Sequence, residues 1–353
     1  MGRVRLHRFR GRGDSLGRPL AQKATVGPDL ELELEAARRA VDGFAISTPL
    51  LFEPELSARA KTPIYLKLEC LQVTGSFKIR GAASRITALT EEQRRRGVVA
   101  CSSGNHGKAV AHVAGVCGIP AVICTPEWVD PVKRSAMERA GARVLADGKT
   151  YDEADAQAGE LQRQEGMTLI HPFDDPLVIA GQGTLALEIQ EELPDVAEIL
   201  VPLSGGGLAA GVAYALKSVS PHATVTAVSA QRASVMLESL AAGKPIEMAE
   251  EGTIASALSG GIGLDNAYTF AMVRDWIDRH LSVPEEAILE AMAYALSHLH
   301  LVVEGGGAVA LAAILAGLWT PLSDSGPTAI VLSGGNLDPK RLHEVALGDR
   351  LRH

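Results

Sequence analysis

Residues 68–82 read Leu68-Glu69-Cys70-Leu71-Gln72-Val73-Thr74-Gly75-Ser76-Phe77-Lys78-Ile79-Arg80-Gly81-Ala82, and this stretch decides how the rest of the chain is read. It sets one lysine just after Gly-Ser-Phe, between an apolar, strand-like run and a helix start rich in small residues. A lysine that is partly desolvated loses its proton readily, which makes Lys78 a candidate Schiff-base nucleophile. The plain alternative is a solvated charge at a strand–helix junction.

Around this stretch the chain alternates strand and helix. Order is expected from Asp29, with a helix over Leu30–Val41 and a turn at Ser47-Thr48-Pro49-Leu50. Val98–Cys101, Ala121–Cys124, Arg143–Leu145 and Thr168–Ile170 read as buried strands. Between them Gly104–Gly107 is a turn, and Lys108–Val116, Val132–Ala140 and Tyr151–Gln164 read as helices. Further on, Glu198–Leu203, Thr224–Val228 and Thr328–Leu332 read as strands. Gly183–Leu193, Leu208–Lys217, Glu285–Leu299 and Ala308–Leu318 have helical spacing. Such βα alternation implies an α/β fold with parallel sheets covered by helices on both faces, and the length suits two units. The stretch Gln231–Ala267 gives mixed signals.

Three further motifs fall at predicted strand ends. Ser204-Gly205-Gly206-Gly207-Leu208 follows an apolar strand and opens a helix. Consecutive glycine N–H groups at a helix N-terminus suit a phosphate, and three glycines exceed what a tight turn needs. Gly205, Gly207 and Gly211 also outline a dinucleotide fingerprint. The acidic residue expected after the next strand is missing, because Ser229-Ala230 stands there. Cys101-Ser102-Ser103-Gly104-Asn105-His106-Gly107 offers hydroxyls, an amide and free N–H groups for a carboxylate or ring hydroxyl. His106 by itself reads as a structural histidine. Leu332-Ser333-Gly334-Gly335-Asn336 ends the last strand, and Glu304-Gly305-Gly306-Gly307 precedes a helix. Glu304 reads equally as a cleft carboxylate or a helix cap.

Composition narrows the classes. The 353 residues are 46% hydrophobic and 22% charged, in the range of a soluble globular protein. A net charge of −8 argues against general nucleic-acid binding. Cys70, Cys101, Cys117 and Cys124 lack metal-ligand spacing and suit a reducing, cytoplasmic setting. No apolar run is long enough for a membrane span. Residues 1–28 carry six Arg and one Lys against Asp14. Without an apolar core they are no secretory signal, and they read as a disordered tail or the product of an upstream start codon rather than a transit peptide.

Taken in their order and spacing, the motifs resemble the fold-type II pyridoxal phosphate enzymes, and more narrowly the threonine/serine dehydratase and serine racemase family, over residues 30–340. Gly-Ser-Phe-Lys-Ile-Arg-Gly-Ala together with Ser-Ser-Gly-Asn-His carries most of the specificity. The resemblance implies two three-layer αβα domains of the tryptophan synthase β type. Residues 29–96 and 173–353 would form the large cofactor-binding domain and 97–172 a small mobile one. It implies pyridoxal 5'-phosphate as cofactor, bound as a Schiff base to Lys78, which then acts as base at the substrate Cα. Phe77 would pack beside the ring, Asn105 meet the ring 3-hydroxyl, and Ser333 face the ring nitrogen. Ser204, Gly205, Gly206, Gly207 and Leu208 would bind the phosphate, and Glu304 would line the same cleft. Ser102, Gly104 and His106 would hold the substrate carboxylate. Ser103 matches the second acid/base of the racemases.

The implied activity is elimination of the β-hydroxyl of a small-molecule β-hydroxy amino acid to a 2-oxo acid and ammonia, by a homodimer or homotetramer. Racemisation or β-replacement on the same fold is the alternative. A nicotinamide oxidoreductase and a non-catalytic sensor are remoter readings. Departures from the family pattern bear on the substrate. The chain has no room for a C-terminal regulatory domain, which favours a constitutive or catabolic role. Ser229-Ala230 replaces the Glu-Pro usual at a cation site, so no metal is expected. Ile254-Ala255-Ser256-Ala257 and the segment Ser259–Asn266 are unlike ordinary threonine dehydratases. They look like the subgroup of hydroxyectoine-utilisation and phenylserine dehydratases, which points to a substrate bulkier than threonine.

Overall fold

A computed structural model describes residues 29–249, 251–322 and 326–348. The basic stretch 1–28 lies outside the described residues. Among the described residues ten strands form two sheets. They are β1 (Leu50–Glu53), β2 (Ile64–Lys67), β3 (Val98–Cys101), β4 (Ala121–Pro126), β5 (Arg143–Gly148), β6 (Thr168–Leu169), β7 (Glu198–Pro202), β8 (Thr224–Ala230), β9 (Arg279–Val283) and β10 (Thr328–Val331). The larger sheet runs β1-β2-β10-β7-β8-β9 and the smaller β5-β4-β3-β6.

Every pairing is parallel except β1 with β2. The expected parallel sheets are therefore present, with one antiparallel edge strand that begins at Leu50, the last residue of the expected turn. Each residue of β3, β4, β7 and β10 is buried, as parallel strands covered on both faces require. The helix Gly305–Leu315 is buried along its whole length. Apolar all round, it can sit only inside the molecule.

Helix starts follow local chemistry. Asp130 and Asp175 cap helices that begin at Pro131 and Pro176, and Thr90 with Gln93 forms a capping box. The helix expected to begin at Lys108 instead begins at Asn105, so the polar loop and the helix N-terminus are one feature. The mixed stretch 231–267 contains the helix Val235–Ala242 and a short 3₁₀ turn at Ser256–Leu258.

Strand order places the site. In the smaller sheet β4 and β5 extend to one side of β3, and β6 returns on its other side. In the larger sheet β8 and β9 extend to one side of β7, and β10 returns on the other. Each sheet thus has a switch point, where adjacent loops leave in opposite directions and open a crevice at the carboxyl ends of the strands. Three of the motif loops leave β3, β7 and β10 at these two points.

The helix Lys78–Thr87 is pinned from beneath by a buried charge cluster. Arg80 bonds Glu69 at 2.8 Å and also bonds Glu188. Lys67 bonds Glu188 at 2.8 Å. Burial alone would lower the Arg80 pKa, but Glu69 and Glu188 raise it, so the guanidinium stays charged.

Candidate active site

Lys78 opens its helix directly after a short bridge between Ser76 and Gly334. The Phe77 N–H donates to the Ser333 carbonyl at 3.1 Å, which ties the lysine loop to the end of β10. The Lys78 amine donates to the Pro172 carbonyl at 2.6 Å and lies 5.2 Å from the Phe77 ring centroid. Burial lowers its pKa to about 8. A desolvated amine with no carboxylate partner among the described residues is what a nucleophilic lysine requires.

The glycine loop after β7 is shaped by crowding. A Cβ on Gly205 would lie 2.4 Å from the Phe173 ring, and one on Gly207 would lie 2.9 Å from the Phe173 Cα. Gly206 has φ of +92°, the left-handed region. The helix Gly207–Val219 has no side-chain cap, and the N–H groups of Gly205, Gly206, Gly207 and Leu208 meet no protein acceptor among the described residues. Ser204 turns its hydroxyl to the Leu258 carbonyl at 2.8 Å. Gly211 has a different task. A Cβ there would strike the Ile179 carbonyl at 2.3 Å and Gly183 N at 2.8 Å, so it lets two helices touch. The third glycine of the dinucleotide pattern is a packing residue.

The loop after β3 brings Ser102, Ser103 and Gly104 to the start of the helix Asn105–Val116. Ser102 is buried and its hydroxyl accepts the Gly104 N–H at 3.2 Å. The Ser103 hydroxyl has no protein partner among the described residues, and a Cβ on Gly104 would meet nothing within 4 Å. His106 is buried and its Nε2 bonds the Ile170 carbonyl at 2.8 Å. A carbonyl only accepts, so Nε2 carries the proton. Burial first, then the nearby Lys78 charge, lower the His106 pKa to about 3. The ring is committed to Ile170, and what His106 leaves for a ligand is its backbone N–H.

Glu304 precedes the helix Gly305–Leu315 but makes no side-chain cap. Its carboxylate accepts from Asn105 Nδ2 instead. Burial raises its pKa, opposed by the Asn105 hydrogen bond and by Lys133 and Lys108. Asn336 donates to Asn105 Oδ1 at 2.7 Å. Ser333 is buried, and its hydroxyl also has no protein partner among the described residues.

The segment His171–Asp174, after β6, carries no recognisable motif yet touches both the lysine and the glycine loop. Pro172 receives the lysine amine, and Phe173 backs the glycine loop. The Asp174 carboxylate accepts the N–H groups of Ala267, Tyr268 and Thr269, at 2.6, 2.9 and 2.8 Å. It thereby caps the helix Thr269–Trp276 from a distant part of the chain. The helix expected from Gly183 begins instead at Pro176, directly after Asp174-Asp175.

Among the described residues the site is thus a Lys–Ser–Gly constellation at facing switch points: an amine held by a main-chain carbonyl and by no carboxylate, a cradle of unclaimed N–H groups and an unpaired hydroxyl. These suit pyridoxal phosphate, whose aldehyde, phosphate and ring nitrogen need those three kinds of partner. Residues 41–334 match the family model described as pyridoxal-phosphate dependent enzyme, and the chain belongs to that family. An L-threonine ammonia-lyase of Thermotoga maritima is 40% identical over 89% of this chain and 77% of its own. A catabolic L-threonine dehydratase of Staphylococcus aureus is 38% identical over 89% of this chain and 90% of its own. Among solved structures, maize serine racemase superposes with a TM-score of 0.84 at 34% identity, covering 91% of this chain and 97% of its own.

Proposed function

We propose that the protein is a pyridoxal phosphate-dependent ammonia-lyase that removes the β-hydroxyl of threonine, serine or a bulkier β-hydroxy amino acid, releasing a 2-oxo acid and ammonia. The observation that carries the reading is Lys78, an amine with pKa lowered to about 8 by burial, set against unclaimed N–H groups and the Ser333 hydroxyl. When bound, the cofactor supplies an electron-withdrawing ring that acidifies the substrate Cα. Lys78 is the point of covalent attachment and the group that takes up the Cα proton. Its lowered pKa keeps a fraction of the amine unprotonated near neutral pH.

Gly205, Gly206, Gly207 and Leu208 hold the phosphate through their N–H groups, with Ser204 at the loop's entry. Phe77 flanks the ring. Asn105 serves the ring hydroxyl and Ser333 the ring nitrogen, where a neutral hydroxyl imposes no fixed proton. Ser102, Gly104 and the His106 N–H hold the substrate carboxylate at the helix start. Glu304 borders the same cleft. Residues 97–172 move as a small unit against 29–96 and 173–353, closing over the substrate. Relatives named threonine ammonia-lyase and dehydratase over nearly nine-tenths of the chain support the activity.

The reading extends to a cytoplasmic homodimer or homotetramer acting on a free amino acid, without a nucleic-acid or membrane partner. Among the described residues no helix is long and apolar enough to cross a membrane.

One observation favours racemisation as a second activity: the unpartnered Ser103 hydroxyl stands in a chain that superposes on a serine racemase. A panel of serine, threonine, phenylserine, hydroxyaspartate and hydroxyectoine-derived compounds tests both. Wild type is expected to be yellow and to release 2-oxo acid and ammonia in equal amounts, while Lys78→Ala is colourless and inactive. D-amino acid formed without 2-oxo acid sinks the lyase reading. D-product that persists in Ser103→Ala removes Ser103 from the second.

A further inference from the structure

Lys108 stands at one end of a chain of hydrogen bonds that joins the two sheets. Its Nζ donates to Asn336 Oδ1 at 2.9 Å. Asn336 Nδ2 donates to Asn105 Oδ1 at 2.7 Å and to the Thr74 carbonyl at 2.9 Å. Asn105 Nδ2 donates in turn to Glu304 Oε1. Lys108 and Asn105 are i, i+3 neighbours on the helix Asn105–Val116, which packs on the smaller sheet. Thr74, Glu304 and Asn336 lie on loops beside the larger one.

The chain has a direction, and Lys108 sets it. An amide presents an acceptor at one end and donors at the other, and its neighbours decide which way it points. An ammonium group only donates, so the Asn336 oxygen must face Lys108. The Thr74 carbonyl only accepts and enforces the same choice. The Asn336 NH₂ then meets the Asn105 oxygen, and the Asn105 NH₂ is turned toward the Glu304 carboxylate. A cation at the donor end and a carboxylate at the acceptor end make the order self-consistent. The Asn105 oxygen already accepts from Asn336 and one of its N–H groups already serves Glu304, so the donor that Asn105 can offer a ligand is its second N–H.

We propose that Lys108 is a positioning residue for the cofactor: acting through Asn336, it locks Asn105 as a hydrogen-bond donor toward the ring hydroxyl and so favours that hydroxyl in its ionised form. Lys108 is half-buried, which gives the lock its hold, since a partly desolvated ammonium keeps its acceptor more firmly than a solvated one. Burial lowers its pKa and Glu304 raises it. Among the described residues the other ionisable groups near the chain are His112 on the same helix, beside Lys108, Lys133 on the helix Pro131–Arg139, facing Glu304, and Cys70 on the 3₁₀ turn Glu69–Leu71, also near Glu304. The inference needs the cofactor but not the lyase reading.

The test uses no substrate. Apo-protein is titrated with pyridoxal phosphate, and the visible absorbance of the loaded protein is followed against pH. Lys108→Met is expected to bind the cofactor about tenfold more weakly, the usual scale for a lost charged hydrogen bond, and to shift its absorbance transition to higher pH. Lys108→Gln can still donate to the Asn336 oxygen and is expected to restore most of both. Asn336→Asp keeps the partner of Lys108 but offers Asn105 an acceptor, which reverses the Asn105 amide. It is expected to shift the transition the same way even if Lys108→Met does not fold. An unchanged transition in a folded Lys108→Met or in Asn336→Asp overturns the proposal. So does weakened cofactor binding in the methionine and glutamine variants alike with no spectral shift, the mark of a merely structural side chain.

Discussion

His106 is kept neutral by its surroundings, and acid should expose that. In the unfolded chain its imidazole titrates near the ordinary 6.5, whereas burial lowers the folded value to about 3. Between those pH values the unfolded chain binds more protons, so stability falls as pH drops from 6.5 toward 3 and the effect is absent above 6.5. At pH 5 the loss from this residue is about 2 kcal/mol. His171 and His280 are shifted downward as well, also by burial, so the whole molecule shares the trend. His106→Gln keeps a donor for the Ile170 carbonyl and should lose about 2 kcal/mol less than wild type between pH 7 and 5, read by urea unfolding. Equal losses would place the acid sensitivity elsewhere. The residue also marks the limit of the sequence reading. The Ser-Gly-Asn-His run pointed to a ligand loop, but only the fold shows that the imidazole turns inward to Ile170 while Asn105 and Ser103 stay available.

Among the elements, the loop from β7 into the helix Gly207–Val219 has little slack. Phe173 cannot retreat easily, because its ring sits edge-on against His171 at 4.7 Å. Gly205→Ala is therefore expected to displace the loop and weaken cofactor binding by about tenfold or more, on the scale of lost charge-assisted hydrogen bonds. Fluorescence titration of the apo-protein measures it, and unchanged affinity would show that the crowding is relieved elsewhere. This loop was legible because the role proposed for it rests on consecutive residues, as at Lys78 and after β3. The segment His171–Asp174 was not, because it acts through a carbonyl and through a carboxylate that caps a helix more than 90 residues away. β9 was missed for a related reason. Arg279-His280-Leu281-Ser282-Val283 is a mostly half-exposed edge strand without the apolar run that revealed β3 and β7. β1 ends at Glu53, just before the helix that starts at Pro54, and pairs antiparallel, outside the βα rhythm.

Across the whole molecule, the buried cluster of Arg80, Glu69, Glu188 and Lys67 ties the lysine-bearing helix to the helix Pro176–Glu192 and to the end of β2. Deleting one member of such a cluster leaves buried charge without a partner, so Arg80→Met is expected to cost about 3–5 kcal/mol in denaturant unfolding. A loss under about 1 kcal/mol would mean that water replaces the guanidinium. The cluster escaped the sequence reading because its members are spread over residues 67–188 and look like surface charges one at a time. The Pro172 carbonyl has a different standing from all these side chains. It receives the Lys78 amine from the main chain, where the polypeptide leaves β6 for the helix Pro176–Glu192. No exchange of one amino acid for another can delete that oxygen. The resting place of the Lys78 amine is thus inherited with the route of the backbone, and related chains free to vary their substrate loops would keep it unless an insertion or deletion rerouted the turn.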